Sequence, residues 1–320
     1  MNLKLILLLI FLSTVTCVFA QTHRNEIGIQ SDNDSYLLQE SDNYYTDGLF
    51  FYYRHALKVK GNDSSFLQNK ILGFEFGQKI FNPQSGVITD AKFIDRPFAG
   101  YLYVGSTLNF LYKDESNIKI SAQLGVVGPA SGAEGVQNFV HNTFGFYHIQ
   151  GWQYQVKNDA ELNLSAEYNK LLARTNGVDM SLSAYADLGT GFTGAGVGPL
   201  FRFGTFNQLF NSASTQSTAI VTNRVTPLHP HEFFFYYKPQ LNYIAYDATI
   251  QGGLFENHND PNSLEVLQTP EPFVLSNQLG VTYTSNRWIL DFNATFHTYD
   301  TKIMVYLHQW GAITAIYRFN

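Results

Sequence analysis

A period of two governs most of this chain. Between Gly100 and Phe319, segment after segment alternates an apolar residue with a small or polar one over about ten positions, the length at which a tilted β-strand crosses a bilayer. In Ile118–Val127, Ile118, Ile120, Ala122, Leu124 and Val126 share one face, and Lys119, Ser121, Gln123, Gly125 and Val127 the other. In Glu161–Asn169, Leu162, Leu164, Ala166 and Tyr168 oppose Glu161, Asn163, Ser165, Glu167 and Asn169. In Arg287–His297, Trp288, Leu290, Phe292, Ala294 and Phe296 oppose Asp291, Asn293, Thr295 and His297. A soluble sandwich alternates too. Strand length, aromatic residues at strand ends and the closing Ile316-Tyr317-Arg318-Phe319-Asn320 favour a membrane barrel.

Bulk properties narrow the choice. Residues 1–20 read as a secretory signal, with Lys4 at the start, an apolar core from Leu5 to Leu12 and small residues closing at Val18-Phe19-Ala20, so the mature chain is expected to begin near Gln21. Attachment as a lipoprotein through Cys17 is the competing reading, and Thr14 and Thr16 suit it poorly. Cys17 is the only cysteine, so residues 21–320 hold no thiol nucleophile, thiolate metal site or disulfide. No stretch after the signal reaches the roughly eighteen apolar residues of a helical span. Aromatic residues make up 16% of the chain and charged ones only 14%, few for a soluble domain. A net charge of −6 argues against nucleic acid as a partner.

The alternating runs number twelve, near 24–32, 47–59, 66–80, 100–113, 116–128, 159–172, 177–190, 195–208, 231–246, 272–285, 287–300 and 308–319. The expected fold is therefore all-β, a twelve-stranded antiparallel transmembrane β-barrel, with 21–320 as one domain. With the N-terminus in the periplasm, odd strands rise to the outer surface and even strands descend. The short connections near 61–65, 114–115, 173–176 and 286 then fall in the periplasm, and the long ones, 81–99, 129–158 and 247–271, fall outside. Asn207–Pro230 is the misfit, long yet assigned to the periplasm: either it carries local structure or the strand count is wrong by two. Within the second long loop, Val136, Phe139, Val140 and Phe144 recur at helical spacing and Gly145 follows as a stop, predicting a short amphipathic helix folded onto the barrel rim.

Four polar clusters converge on that rim: Gln30-Ser31-Asp32-Asn33-Asp34-Ser35, Asp42-Asn43-Tyr44-Tyr45-Thr46-Asp47-Gly48, Asp95-Arg96-Pro97, and the helix bearing His141. Each has a bland reading. Asp32-Asn33-Asp34 offers hard oxygen ligands of the kind calcium takes, but an acidic loop tip is also commonly just solvated. His141 is equally a surface or packing residue, and Tyr45 and Thr46 suit a hairpin and an aromatic girdle. Asp95 and Arg96 are expected to pair as ions. Arg96 could alternatively hold a phosphate or carboxylate in its guanidinium fork.

Taken in series, Asn33-Asp34, Tyr45-Thr46-Asp47-Gly48, Asp95-Arg96-Pro97-Phe98-Ala99-Gly100, Gly128-Pro129, Val136-Gln137-Asn138, His141, Gly151-Trp152-Gln153, Gln155 and His308-Gln309-Trp310-Gly311 resemble the outer-membrane lipid A 3'-O-deacylase family over nearly the whole mature chain. The resemblance implies a twelve-stranded outer-membrane barrel acting on lipid A of lipopolysaccharide among outer-membrane lipids. It implies divalent-cation-dependent hydrolysis of the 3'-linked ester, at a site between the barrel wall and an external-loop helix. By motif, Asn33 and Asp34 match a pair implicated in holding Ca2+ or another divalent cation, Thr46 a required hydroxyl, and His141 the catalytic histidine, with Arg96 a candidate for a lipid phosphate. The chain reads as a monomer. Asn142–Gln150 offers no acidic partner for His141. Two rivals stand beside this reading. One is a non-catalytic outer-membrane pore or scaffold barrel. The other is an outer-membrane phospholipase with a serine nucleophile, which the absence of any His-x-Ser pair disfavours.

Overall fold

The strands close on themselves because a backbone crossing lipid has no water to bond and must satisfy every N–H and C=O within the chain. The computed structural model describes residues 22–38, 42–60, 66–222, 225–258 and 260–320. The expected signal, 1–20, and the turn at 61–65 lie outside them. The strands are β1 (Asn25–Asn33), β2 (Tyr45–Ala56), β3 (Leu67–Phe81), β4 (Ala99–Tyr112), β5 (Ser116–Val127), β6 (Asp159–Thr175), β7 (Val178–Gly189), β8 (Phe192–Thr205), β9 (Glu232–Asp247), β10 (Phe273–Thr284), β11 (Trp288–His297) and β12 (His308–Phe319). Each pairs antiparallel with its sequence neighbours, and β1 closes the ring on β12 from Asn25↔Phe319 to Asn33↔Gly311.

Alternation sorts the side chains between lipid and lumen. Ile27 and Ile29 on β1, Leu49, Phe51 and Tyr53 on β2, and Phe74 and Phe76 on β3 are exposed on the outer wall. Glu26, Asp32 and Arg54, of opposite parity, are buried inside. The same phase runs through β5, β6 and β11, where Ile120, Leu124, Leu162, Leu164, Trp288 and Phe292 face out. The lumen holds two cavities of about 360 and 580 Å³, both bordered by Gln30, Asp32, Tyr52 and Trp310.

The misfit stretch Asn207–Pro230 carries local structure, and the strand count stands. Two 3-10 turns, Leu209–Asn211 and Ala213–Thr215, fold back into the terminal end of the barrel. Phe210 and Ala219 pack against Ala56, Ile71 and Leu111, and Ala213, Ser214, Gln216 and Thr218 floor the lower cavity. Polar anchors fix this plug. The guanidinium of Arg202 forks onto Asp179 at 2.9 and 2.6 Å and donates to Ser212 Oγ at 2.8 Å. Glu232 accepts from the backbone of Asn207 (2.8 Å) and Ala213 (2.9 Å). Asn109 and Asn69 donate to the carbonyls of Thr215 and Ala219 at 2.9 and 2.8 Å. Among the described residues this connection obstructs the lower end of the lumen. In planar bilayers the folded protein is expected to give no sustained conductance steps, and porin-like steps would contradict the plug.

Candidate active site

Strand parity decides which polar residues leave the lumen. Ile27 and Ile29 face out, so Ser31 and Asn33 on β1 do as well, whereas Asp32 turns inward and accepts from Tyr45 Oη at 2.8 Å. On β2, Leu49 and Phe51 face out, and therefore so does Asp47, paired in register with Asn33. Asn33 Nδ2 donates to Asp47 Oδ1. Tyr45 reaches the lumen only because the register with β3 shifts between Tyr45 and Asp47. That bulge inserts Thr46 as an extra residue and re-aims its neighbours. His308 on β12 holds the bulge from inside. Its Nε2 accepts the Tyr45 N–H at 2.8 Å, and its Nδ1 lies 3.1 Å from Asp300 Oδ2.

Beyond β1 the chain turns at once. Asn33 Oδ1 caps the 3-10 turn Asp34–Leu37 by accepting from Ser35 N at 2.7 Å. Asp34 is buried, and its Oδ2 accepts from Asn43 N at 3.0 Å and Thr46 Oγ1 at 3.2 Å.

The predicted helix is α1 (Ala133–Phe144). Gly145 ends it at φ 73°, a conformation only glycine adopts freely, and the reversal brings Tyr147 back over the last turn. His141 Nδ1 then lies 2.7 Å from the Tyr147 carbonyl oxygen, and Nε2 lies 2.8 Å from Asp42 Oδ2. Gln137, one turn earlier, donates from Nε2 to the same Asp42 oxygen at 2.8 Å, and its Oε1 accepts from Trp152 Nε1 at 3.0 Å. An indole N–H can only donate, which fixes the orientation of the Gln137 amide.

Asn33, Asp34, Thr46 and His141 therefore meet on the outer wall at the long-loop rim, between the strand ends and α1. Two carboxylates join them that motif spacing did not single out, Asp42 and Asp47. Asp42 stands 99 positions from His141, and no local pattern links the two. Arg96 does not join them. It is buried in the lumen mouth, 4.1 Å over the Phe81 ring, donating to Thr249 Oγ1 at 3.0 Å with Nε 3.8 Å from Asp300. The expected Asp95–Arg96 pair is not formed either, since Asp95 accepts instead from Tyr44 Oη (2.8 Å) and the backbone of Gln84 (2.9 Å) and Val305 (3.1 Å). Asp32, the third of the hard oxygen donors read from sequence, belongs to the lumen.

Burial pushes the Asp34 carboxyl up to about 8; the Asn43 N–H opposes this, the charges of Asp42 and Asp47 add to it, and the Thr46 hydroxyl opposes it. Among the described residues Asn43 Oδ1 is buried without a hydrogen-bond partner. Crowded carboxylates beside an orphaned acceptor form a hard-oxygen donor set that suits a divalent cation. Among the described residues the one group of three His or acidic side chains whose ligand atoms all lie within 4.8 Å of one another is elsewhere, at His297, Asp300 and His308. That group suits a metal less well. The Tyr45 N–H fixes His308 Nε2 as an acceptor, so the ring proton sits on Nδ1 toward Asp300 and closes that nitrogen to a metal.

This is a closed twelve-stranded antiparallel barrel with a cluster of polar side chains on the outer side of its long-loop rim. The model of the family described as outer membrane protein LpxR matches residues 5–319. The chain belongs to the LpxR family, the lipid A deacylase family its motif series resembles. LpxR from Salmonella typhimurium superposes with a TM-score of 0.72 at 18% identity, over 92% of this chain and 100% of that one. The β domain of the Bordetella autotransporter BrkA (TM-score 0.46, 10% identity, 93% and 100% coverage) and the KdgM porin (0.40, 7%, 92% and 99%) are looser matches. No curated protein sequence matches the chain.

Asp42→Ala removes the acceptor of Gln137 Nε2, and Gln137 is fully buried. An unpaired buried amide is worth about 1–3 kcal/mol, so the variant is expected to unfold that much more easily in urea titrations that follow the barrel.

Proposed function

We propose that this protein hydrolyses the 3'-linked acyl ester of lipid A in the outer leaflet, working as a monomer with a hard divalent cation, calcium foremost. The observation that carries the reading is the side of the wall on which His141 and Asp34 lie. Both are buried beneath α1 on the outer side of the wall and border neither lumen cavity, so an ester entering from the bilayer would reach them from the side and not through the barrel.

The chemistry follows from the partners of His141. A backbone carbonyl only accepts, so Nδ1 carries a proton toward Tyr147, and Nε2 is the basic nitrogen. The Tyr147 carbonyl thus orients the ring, a task that a carboxylate performs in other histidine bases. Nε2 faces Asp42, so one proton is shared between them at rest. Asp42 yields this position to water when substrate enters and keeps the shared proton on its own carboxyl, which leaves Nε2 unprotonated. Nε2 then takes the water proton as the oxygen attacks the ester carbonyl, and returns it to the departing 3'-oxygen as the C–O bond breaks, leaving a free fatty acid and a 3'-hydroxyl. Asp34 and Asp47, with Asn43 Oδ1, would hold the cation, which supplies charge stabilisation for the carbonyl oxygen. Asn33 serves this set by clamping Asp47, its own oxygen being taken by Ser35. Thr46 keeps Asp34 in place. The plugged lumen weighs against a pore as the alternative.

Mass spectrometry of lipid A from cells expressing the chain should find one 3'-linked acyl unit missing. His141→Ala should lower turnover by about 10²- to 10⁴-fold, the usual worth of general-base help. Unaltered lipid A from the intact protein would refute the reading. Calcium must displace the Asp34 proton, so its apparent affinity should weaken about tenfold for each pH unit below about 8 and level off above. Calorimetric calcium titrations across that range check the slope, which Asp34→Asn should flatten.

A further inference from the structure

The helix at the rim is seated on a polar stripe. Its periodicity marks an apolar face of Val136, Phe139, Val140 and Phe144, yet the buried residues are Ala133, Gln137 and His141. At 3.6 residues per turn, that stripe leaves a flank on each side. One carries Glu134, Asn138 and Asn142. The other carries Val136, Phe139, Val140 and Thr143, with Phe139 70% exposed and Val136 42%. Thr143 does not interrupt the apolar flank, because its hydroxyl donates to the Phe139 carbonyl at 2.7 Å and leaves its methyl to the surroundings. Past the helix end, Phe144 and Phe146, both exposed, stack at 5.9 Å and prolong the same surface.

We propose that α1 is an interfacial helix: its Val136–Phe139–Val140 flank lies against the acyl layer of the outer leaflet, and the opposite flank, where Glu134 and Asn142 are exposed and Asn138 is half-buried between them, faces water. Continuity with the barrel's apolar belt carries the assignment. The turn that leads into α1 is fastened to β3 where Gln78 donates to the Ser131 carbonyl at 2.7 Å. The next outward positions down that strand are Phe76 and Phe74, both exposed. Two residues of strand rise about 7 Å, so the helix begins one outward step above lipid-facing phenylalanines. A helix with one polar and one apolar flank on either side of its seat suits the boundary between head groups and acyl chains. Seated there, α1 sets the depth at which His141 meets lipid. The inference stands on the membrane placement, and its test reads depth, so its failure and that of the hydrolase reading are separable.

The test uses single nitroxide labels on a chain expressed from Gln21, which lacks cysteine because Cys17 is the only one. Val136→Cys and Phe139→Cys probe one flank, Glu134→Cys and Asn142→Cys the other, and Phe76→Cys serves as the belt reference. The protein is folded into vesicles of phosphatidylethanolamine and phosphatidylglycerol, and heat-modifiable gel mobility confirms the barrel in each variant. Labels at 136 and 139 should collide severalfold more with oxygen than with a water-soluble nickel chelate, as at 76, and labels at 134 and 142 should show the reverse. Nickel accessibility at 139 equal to that at 134 would overturn the proposal. So would shielding of 139 from both reagents, the signature of a protein partner or a second copy on that flank.

Discussion

The requirement that backbone polar groups crossing lipid be paired within the chain is the constraint on which the rest of this molecule depends. It forces closure of β1 on β12, and closure fixes the phase of every strand. Phase then separates two polar systems that share the same few residues of sequence. Asp32 and Tyr45 turn into the lumen, while Asn33 and Asp47 turn to the outer face. Only the irregularity at Thr46 lets β2 serve both, because a regular strand would carry Tyr45 and Asp47 on one side.

The barrel therefore carries one polar system inside and another outside. Its interior is closed at one end by the plug that Arg202, Asp179 and Glu232 secure, and its mouth is tied by Asp300 to Arg96, His297 and His308. Burial opposes ionisation of Asp300, yet the neighbouring histidines outweigh it and hold that carboxyl below its usual range. The outer cleft has the opposite balance. There Asp34, Asp42 and Asp47 gather with few cations among them, and the Asp34 carboxyl rises. One cluster is satisfied by the chain itself. The other holds several acidic groups close together, and burial dominates there.

How much of this was legible follows from what each signal encodes. Period-two alternation records the local boundary between lipid and lumen, so strand number and order could be read from single segments such as Glu161–Asn169. The helix at 133–144 was legible for the same reason, with Gly145 as its stop. Its facing was not. Periodicity reports that two sides differ in polarity, and near a bilayer the apolar side need not be the packed one, which is how Phe139 came to be exposed and Gln137 buried. Asp42 stayed hidden because its link to His141 is made by loop geometry. Arg96 misled because a cation beside an acid at a rim looks the same whether it turns outward or into the mouth. Asn207–Pro230 was visible as an anomaly of length, but inward folding of a connection leaves no periodic trace.

The bond from Tyr45 N–H to His308 Nε2 joins the second strand to the last. That contact spans almost the whole length of the chain, so the kink that presents Thr46 gains this support only when the last strand has docked on the first. The shape of the outer rim near the N-terminus is thus a property of the closed ring and not of its opening hairpin.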